Sequence, residues 1–464
     1  MLPSETITQL KRIIGKEGVL TTKEDLNAYS YDATSVWTHM PEAVVLPTTT
    51  EQVAGVLKLA NEKMIPVTPR GGGTSLSGGP IPIKGGIVLC TTRMNKILEI
   101  NKDNLSATVE TGLVLQDFNN ALSKEGLFYP PDPQSFLSCT LGGMVAENAG
   151  GPHCVKYGVT KQYVLGLKVV LASGYVMKVG SKTVKNRTGY ELVSLFTGSE
   201  GTLVVITEIT LRLLPLPPAR KTIVVIFDDM VVAAAAVTNI LSSGVIPAKL
   251  EIADNFLIRR IEEIMPVGLP VEAKALLLIQ TDGSPATVEA DSKQISSILK
   301  RSGAKEVRVA KDEAEADGYW NSRKAAQAAI YSTAPSVMVE DVTVPRDKLV
   351  EFIQKIEEIS QKYGLVIPIL GHIGDGNLHP NILTDIKDKE NFAKAKEAMA
   401  EIFDTALTLG GVISGEHGIG LDKKPFLKKA ADPLAIEIMK GIKRILDPNN
   451  ILNPGKIWEE DDTT

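Results

Sequence analysis

The sequence is poor in cysteine and carries no excess of positive charge. Its three cysteines, Cys90, Cys139 and Cys154, are widely separated and form no C-x-x-C motif. We therefore expect neither an iron–sulfur cluster with cysteine ligands nor a disulfide framework. Fifty Lys and Arg stand against 55 Asp and Glu, which gives a formal net charge of −5. This balance argues against a protein that binds nucleic acid by neutralising phosphates.

A long hydrophobic run is also absent. The most apolar stretch, Met230–Leu241, is far shorter than the ~20 residues needed to span a bilayer. The segment Met1–Lys16 carries charges within an amphipathic pattern, whereas a signal peptide has a continuous apolar segment. The sequence therefore predicts a cytoplasmic protein without a membrane span, in which any membrane contact would come through a partner.

The chain is instead rich in glycine, proline and alternating strand and helix patterns. Its 464 residues include 39 Gly and 26 Pro, and only 5% are aromatic, which is typical of a turn-rich α/β enzyme with more than one domain. The first hundred residues predict a strand–helix–strand unit, and β segments follow as far as Leu214. After a proline cluster at 215–218, strand-like runs such as Val337–Val344 alternate with helical ones. That pattern predicts a second, α+β domain.

Three glycine-rich segments are candidates for ligand binding. In Arg70–Gly79, consecutive backbone N–H groups can turn toward one centre and form an anion nest, to which Thr74 and Ser75 add hydroxyl donors. This loop matches neither a P-loop nor a clean G-x-G-x-x-G motif, and a flexible surface turn is the alternative. The small residues of Cys139–Gly151 permit a backbone to lie flat against a planar ligand. In Phe196–Thr207 a glycine turn precedes a β-branched strand. Alone, either could be a packing contact or a hairpin turn.

Three of the five histidines lie in two further glycine-rich segments, 371–379 and 414–418. His372 and His379 are seven residues apart, which on a regular strand would put them on opposite faces. The glycines between them allow both rings to converge. Together with Glu416 they would form a two-histidine, one-carboxylate site with open positions for substrate; hydrogen-bonded core histidines and a tight turn are the alternative. The adjacent His417 is a candidate general base, because an imidazole has an unperturbed pKa suited to that role near neutral pH.

The first three segments together resemble a known signature. Arg-Gly-Gly-Gly-Thr-Ser, Gly-Gly-Met-Val-Ala-Glu-Asn-Ala-Gly-Gly and Gly-Ser-Glu-Gly-Thr are similar to the FAD-binding motifs of the vanillyl-alcohol-oxidase superfamily. From about Pro41 to Lys456 the chain resembles its D-2-hydroxyacid dehydrogenase branch, which includes D-lactate dehydrogenases, the flavin subunit of glycolate oxidase and D-2-hydroxyglutarate dehydrogenase. The resemblance implies a two-domain α+β flavoprotein. Its FAD-binding domain of two subdomains would span 1–215 and its substrate or cap domain 216–410, with a C-terminal segment, 411–464, returning to the flavin side.

The resemblance also implies where FAD would bind. The pyrophosphate would lie in the first glycine-rich loop, and the flavin would lie against the second and third segments. Some relatives attach FAD covalently to a histidine where this chain has Thr74, so non-covalent FAD is implied. The implied cofactor-binding residues are Arg70, Gly71, Gly72, Gly73, Thr74, Ser75, Gly78, Cys139, Thr140, Gly142, Gly143, Ala146, Asn148, Gly150, Glu200, Gly201, Ile206 and Asn453.

For catalysis, the resemblance implies one divalent metal ion with a neighbouring base and a substrate anchor. Arg323 would bind the substrate carboxylate, although its spacing alone favours a surface arginine on a helix, and Asn381 would be a secondary substrate contact. D-2-hydroxyglutarate dehydrogenases carry a lysine where this chain has Val339, which cannot bind a second carboxylate. The substrate implied is therefore a small monocarboxylate, D-lactate or glycolate. The implied metal ligands are His372, His379 and Glu416, and the implied base is His417.

The implied reaction is oxidation of a D-2-hydroxy acid to the 2-oxo acid. The metal would polarise the hydroxyl, His417 would take its proton, and the C2 hydride would pass to flavin N5. Zinc, iron and manganese all stay open, as does a metal-free site in which the histidines hydrogen-bond the substrate. A separate acceptor would take the electrons: an electron-transferring flavoprotein, an iron–sulfur subunit or a quinone. Two other classes are a flavin electron-transfer module with a structural metal and a nucleotide-binding regulator.

Overall fold

The computed structural model describes residues 1–34 and 36–459, and the chain divides into two compact units. The first unit comprises Met1–Ala149, Val159–Leu216 and the chain from Glu416 onward, and the second comprises Gly150–Gly158 and Pro217–Gly415. The division differs from the predicted boundaries in three places. Residues 150–158 lie with the second unit, Leu216 lies with the first, and the returning C-terminal segment begins at Glu416 rather than at 411.

Helices and strands are distributed over both units, and the predicted α+β class is confirmed. The helices are α1 (Ser4–Ile14), α2 (Lys23–Asn27), α3 (Thr50–Glu62), α4 (Leu115–Ser123), α5 (Leu141–Glu147), α6 (Cys154–Tyr157), α7 (Leu192–Phe196), α8 (Met230–Ser242), α9 (Asn255–Ile264), α10 (Pro285–Arg301), α11 (Glu313–Tyr331), α12 (Leu349–Tyr363), α13 (Lys389–Thr408), α14 (Leu427–Ala430) and α15 (Pro433–Leu446). The strands are β1 (Val19–Leu20), β2 (Ala43–Val45), β3 (Val67–Arg70), β4 (Ile87–Cys90), β5 (Ile97–Asn101), β6 (Ser106–Glu110), β7 (Leu127–Phe128), β8 (Val164–Val170), β9 (Val176–Gly180), β10 (Val205–Arg212), β11 (Leu214–Pro215), β12 (Ala219–Phe227), β13 (Lys249–Asp254), β14 (Ala275–Gly283), β15 (Glu306–Val309), β16 (Ser336–Val339), β17 (Val342–Thr343), β18 (Ile369–His372) and β19 (Asn377–Thr384). No helix of these described residues is both long and apolar enough to cross a membrane.

The first unit contains two larger sheets and, among the described residues, the short pair β7 and β11. In the first, strands follow the order β1-β2-β4-β3, and β2, β4 and β3 are parallel. These three strands are almost continuously buried, as expected for parallel strands covered by helices. Helix α3, capped by the Thr49 side chain, buries Val53, Val56 and Leu57 in the same core. The carboxyl end of β3 therefore delivers the chain directly into the first glycine-rich loop. The second sheet is antiparallel in the order β5-β6-β10-β8-β9.

The second unit is built on one large sheet in the order β15-β12-β14-β13-β18-β19-β16, with β17 also paired to β19. Helices α9 and α11 pack on one face, where Ala253, Leu257, Trp320 and Leu370 share a core. Strands β18 and β19 form a hairpin whose tip is the glycine-rich turn 373–376.

The predicted strand Val337–Val344 is interrupted at residues 340–341. Both of its parts, β16 and β17, pair with β19 in a single continuous register. In that register Glu340 lies opposite Pro380, which has no N–H to contribute to the ladder. One backbone bond still forms there, from Glu340 N–H to Pro380 O at 3.0 Å. Because the register continues through the gap, Asp341 comes to lie directly opposite His379.

Candidate active site

The hairpin places His372 and His379 on the same face of the sheet. His379 pairs with Leu370 across the two strands, and Leu370 is two residues from His372, so all three side chains point the same way. The two imidazole centroids are 5.3 Å apart with their planes at 86°, and ligating nitrogens of the two rings lie within 4.8 Å of one another. The opposite faces expected for a regular strand do not arise, because the chain reverses between the two histidines. In the turn, Gly376 takes a positive φ of 89°.

Each histidine presents its Nδ1 atom to an oxygen. His372 Nδ1 lies 2.6 Å from Glu251 Oε1, and His379 Nδ1 lies 3.2 Å from the backbone oxygen of Glu340. An Nδ1–H that donates to an oxygen fixes the ring orientation and makes Nε2 the ligating nitrogen, which is the common arrangement around metal-binding histidines. The donor set therefore fits a divalent metal ion.

Glu251 links His372 to Arg323, and sequence reasoning missed it. The carboxylate is 1% exposed and lies in β13 opposite His372, since Ile252 pairs with Gly371 in the adjacent register position. Its Oε2 atom is 2.7 Å from Nη2 of the buried Arg323 in α11. Arg323 is thus not the surface arginine that spacing alone favoured. An acidic residue inside the otherwise apolar run Leu250–Ala253 is the sequence signal that could have identified Glu251.

Asp341 was also missed, and it fixes the chain ahead of the predicted ligand Glu416. The fully buried carboxylate accepts hydrogen bonds from Asn377 Nδ2 at 2.8 Å, from Ser414 Oγ at 2.8 Å and from the Gly415 backbone N–H at 2.9 Å. Both segments that contain the candidate histidines are therefore tied to one buried carboxylate. The two consecutive acids 340–341 inside an apolar strand pattern were the available signal.

The predicted substrate residues Asn381 and Val339 share this face of the sheet. They are directly paired between β19 and β16, and Asn381 is two residues from His379. The buried Asn381 side chain donates to His379 O at 2.6 Å, and its Oδ1 atom has no hydrogen-bond partner among the described residues. A hydrogen-bond donor on a bound substrate would satisfy this buried acceptor.

In the first unit, the three glycine-rich segments converge although they are far apart in sequence. A Cβ atom on Gly71 would lie 2.2 Å from Thr140 Oγ1, and one on Gly72 would lie 2.3 Å from Ser138 O. The third segment is bonded to the second through Gly198 N–H to Val145 O at 2.9 Å and Glu200 N–H to Ala146 O at 2.8 Å. Thr140 caps α5 by accepting from Gly143 N–H. These close approaches explain why the segments need small residues.

The first loop offers donors that the protein does not use. The backbone N–H groups of Gly71, Gly72, Gly73 and Thr74 make no hydrogen bond within the described part of the chain. Successive unpaired N–H groups in a glycine loop form a nest for an anion such as a pyrophosphate. The residues present therefore fit the phosphate end of FAD. Arg70 supports the loop from within: its buried guanidinium donates to Tyr31 O at 2.7 Å.

A buried polar cluster joins the first loop to the third segment and to the C-terminal residues. Asn453 Nδ2 donates to Gly79 O and Glu200 O, and Lys456 Nζ donates to Gly79 O, Ile81 O and Asn453 Oδ1. Burial lowers the pKa of Lys456 to about 7, and burial also raises the pKa of Glu200. This cluster makes Lys456 a further residue that supports the candidate cofactor loops.

The other predicted cofactor residues occupy different environments. Cys139 is buried, and burial raises the pKa of its thiol to about 11, so it stays protonated at neutral pH. Ile206 is buried in β10, and Asn148 ends α5 in a left-handed conformation with a φ of 56°. Gly78, at a φ of 81°, donates its N–H to Asp32 Oδ2 at 3.0 Å. Gly150 belongs to the second unit.

Glu416 and His417 belong to the first unit, where His417 Nε2 is 3.9 Å from Glu416 Oε1. Their assigned parts as third metal ligand and as base stay predictions. The next residue, Gly418, has a φ of 83°, and a Cβ atom there would lie 2.5 Å from Glu147 Oε2. The loop that carries both residues is therefore closely fitted to its own unit.

Comparisons with known proteins identify the family of the chain. A family model described as FAD linked oxidases, C-terminal domain, matches residues 216–457, and one described as FAD binding domain matches residues 41–180. The glycolate oxidase subunit GlcD of Bacillus subtilis is 42% identical over 461 residues, covering 99% of this chain and 98% of the relative. The D-lactate dehydrogenase of Anaerostipes hadrus is 37% identical over 464 residues, covering 98% and 97%. A solved structure of p-cresol methylhydroxylase with substrate bound has a TM-score of 0.81 at 20% identity, covering 99% of this chain and 98% of that one, which shows the fold alone.

Proposed function

The chain belongs to the FAD-dependent D-2-hydroxyacid dehydrogenase family, and from this we propose that it oxidises a small D-2-hydroxy acid to the 2-oxo acid. The observation that carries the proposal is the pair His372 and His379, oriented through Nδ1 beside the buried Arg323. Histidines held in this way are suited to bind a metal that contacts a hydroxyl group, and the arginine is suited to bind a carboxylate. A 2-hydroxy acid carries both groups on adjacent carbons.

FAD, when bound, supplies the acceptor for the two electrons that leave C2 of the substrate. We propose that the unpaired N–H groups of Gly71–Thr74 hold its pyrophosphate and that the second and third glycine-rich segments lie against its ring system. The side chain of Thr74 cannot form the histidyl link, so the cofactor is held without a covalent bond. Asn453 and Lys456 stabilise the loops around it by bonding to Gly79 O.

A divalent metal ion, when bound, would make the substrate hydroxyl a stronger acid. We propose that Nε2 of His372 and Nε2 of His379 contribute to its ligand set with the Glu416 carboxylate, as the family pattern implies. His417 would take the hydroxyl proton on its ring, since an imidazole is a suitable base near neutral pH. Nitrogen and oxygen ligands suit zinc, iron and manganese alike.

Arg323 and Val339 support a monocarboxylate substrate. Glu251 occupies Nη2 of Arg323, while Nε is buried and has no hydrogen-bond partner among the described residues. We propose that the Nε–H group donates to the substrate carboxylate. Val339, on the same sheet face as His379, offers no charge for a second carboxylate. We propose D-lactate as the substrate. Glycolate is the second candidate, because the relative at 42% identity is named for glycolate oxidase.

The electrons must then leave the protein for a separate acceptor. The chain has no cysteine cluster to hold an iron–sulfur centre of its own. We propose an electron-transferring flavoprotein, an iron–sulfur subunit or a quinone. Purifying the native protein and identifying what accompanies it distinguishes these three acceptors.

Rapid anaerobic mixing tests the proposed reaction. We expect D-lactate, and more slowly glycolate, to bleach the flavin absorbance, whereas D-2-hydroxyglutarate should be a poor substrate with an artificial acceptor. The variant Val339→Lys should shift kcat/KM toward hydroxyglutarate, because it adds a cation for the second carboxylate. A wild-type protein that prefers hydroxyglutarate would contradict the Val339 argument. A yellow protein that none of the three acids bleaches would support an electron-transfer module instead.

A further inference from the structure

The last long helix, α15, exposes a row of apolar side chains to solvent. Leu434, Ile438 and Ile445 are 69%, 57% and 80% exposed, and Ile442 is half-buried. At 100° per residue these four side chains fall within one stripe less than 90° wide. The opposite side of the helix buries Lys443, whose Nζ atom donates to Thr202 O and Leu452 O at 2.8 Å each and pairs with Asp447. Ile436 is buried on this same side, so α15 carries apolar side chains on both its buried and its exposed face.

Gly441 lies within this stripe, and the packing of the chain itself does not require it. A Cβ atom there would meet only Arg444 Nη2, at 4.0 Å. A glycine in the interior of a helix costs roughly 1 kcal/mol relative to alanine. Since the packing of this chain does not require glycine at position 441, we infer that another backbone or a large side chain approaches the helix there from outside.

The charges beside the stripe are self-complementary. Glu437 and Arg444 are seven residues apart, so both lie on the same flank of α15. Both side chains are exposed, and Glu437 pairs at i,i+3 with Lys440, whose own side chain is largely buried. When two copies of a helix pack antiparallel about a twofold axis, the same flank of each meets in reverse order. Glu437 then lies near Arg444 of the partner subunit, and the reciprocal pair forms as well.

We propose that this stripe, Leu434, Ile438, Gly441, Ile442 and Ile445, is the interface through which two copies of the chain form a twofold symmetric dimer. Gly441 leaves room for the partner subunit's Ile438, and the two Glu437–Arg444 pairs set the antiparallel direction. An anionic membrane is the less favoured occupant, because the Glu437 carboxylate lies beside the stripe. The stripe is only about 17 Å long at 1.5 Å per residue, so the dimer depends on concentration, as small interfaces do.

Sedimentation velocity on the FAD-loaded full-length chain, from about 0.5 to about 50 µM, tests the dimer. Wild type should pass from monomer to dimer over this range. Ile438→Ser, Gly441→Leu, Glu437→Arg and Arg444→Glu should each raise the dimer dissociation constant about tenfold or more. The double variant Glu437→Arg/Arg444→Glu should restore the dissociation constant to within about threefold of the wild-type value, because both reciprocal pairs are re-formed with exchanged signs.

The controls separate this interface from general effects on folding. Ile246→Ser removes an equally exposed isoleucine, 53% exposed, from the second unit, and it should leave dimerisation unchanged. All variants should keep the flavin absorbance, and Gly441→Leu should not lower the thermal stability. The proposal is overturned if the wild type stays monomeric over the whole concentration range, or if neither Ile438→Ser nor charge reversal changes the dimer dissociation constant. A monomer that binds phosphatidylglycerol vesicles through Ile438 also overturns it.

Discussion

Replacing Glu251 by glutamine tests whether this buried carboxylate orients the candidate metal ligand His372. The side chain is 1% exposed, with Oε1 2.6 Å from His372 Nδ1 and Oε2 2.7 Å from Arg323 Nη2. Glutamine keeps the shape but removes the charge that both partners face. Loss of an outer carboxylate behind a metal-binding histidine typically weakens metal binding 10- to 100-fold, that is, about 1.4 to about 3 kcal/mol.

The same change also leaves the Arg323 guanidinium without its counter-ion at a site that is 7% exposed. Breaking a buried ion pair by removing one partner costs about 3–5 kcal/mol. Glu251→Gln should therefore lower the free energy of unfolding as well as the metal affinity. The conservative variant Glu251→Asp keeps the charge but is too short to reach both partners, so it should recover stability more than metal affinity.

Three quantities are measured for each variant. Competition with a graded chelator gives the metal affinity, absorbance gives the flavin content, and urea unfolding gives the stability. Asp254→Asn is the matched control. It removes a half-buried carboxylate from the same strand, and that carboxylate bonds to the backbone N–H groups of Leu257 and Ile369 rather than to a histidine. Its metal affinity should equal that of wild type. If Glu251→Gln folds, holds FAD and binds metal as tightly as wild type, then Glu251 does not orient His372 and the reasoning is refuted.

Four further outcomes are expected. Burial raises the pKa of Asp254 to about 6, above its unfolded value, so raising the pH from about 3.5 to about 7 should lower wild-type stability relative to Asp254→Asn by up to about 3 kcal/mol; parallel pH curves in urea would contradict this. Lys443→Met leaves Asp447 buried without its cation and should cost about 3–5 kcal/mol in chemical unfolding, whereas a neutral effect would show that the pair is dispensable. His379→Ala should lose metal and turnover but keep the flavin spectrum, while His417→Ala should keep metal and flavin and lose turnover; active wild-type protein that contains no metal and resists chelators would exclude this assignment. Acid denaturation should leave the yellow colour in the supernatant, and a yellow pellet would indicate a covalent link.

The glycine-rich segments could be recognised from the sequence because their requirement is local. Gly71 and Gly72 are needed where the backbone approaches Thr140 and Ser138 within contact distance, and such a position excludes almost every other residue. The histidine motif was recognisable for a similar reason, since the turn that brings His372 and His379 together is only four residues long. Sequence reasoning predicted their convergence but attributed it to glycine flexibility rather than to a hairpin register.

Glu251 and Asp341 could not be assigned in this way, because their partners are set by strand pairing. Glu251 is 121 residues from His372, and it becomes a neighbour only because β13 lies beside β18 in the sheet. Asp341 faces His379 because a register continues past Pro380, a residue of the opposite strand. A single sequence specifies which segments are strands much more clearly than it specifies their order in a sheet.

The Glu251–Arg323 pair illustrates why the buried charges of this unit are better explained by function than by stability. The surrounding core of α11 and the sheet is otherwise apolar, with Ala253, Trp320 and Leu370 nearby. The desolvation penalty of a buried ion pair is often as large as its Coulombic gain, and well-packed hydrophobic residues of similar volume would hold such a site equally well. Hydrophobic residues could not, however, accept a hydrogen bond from His372 Nδ1 and hold the Arg323 guanidinium at the same time. The pair therefore fits the proposed site, in which this histidine and this arginine both face one small substrate.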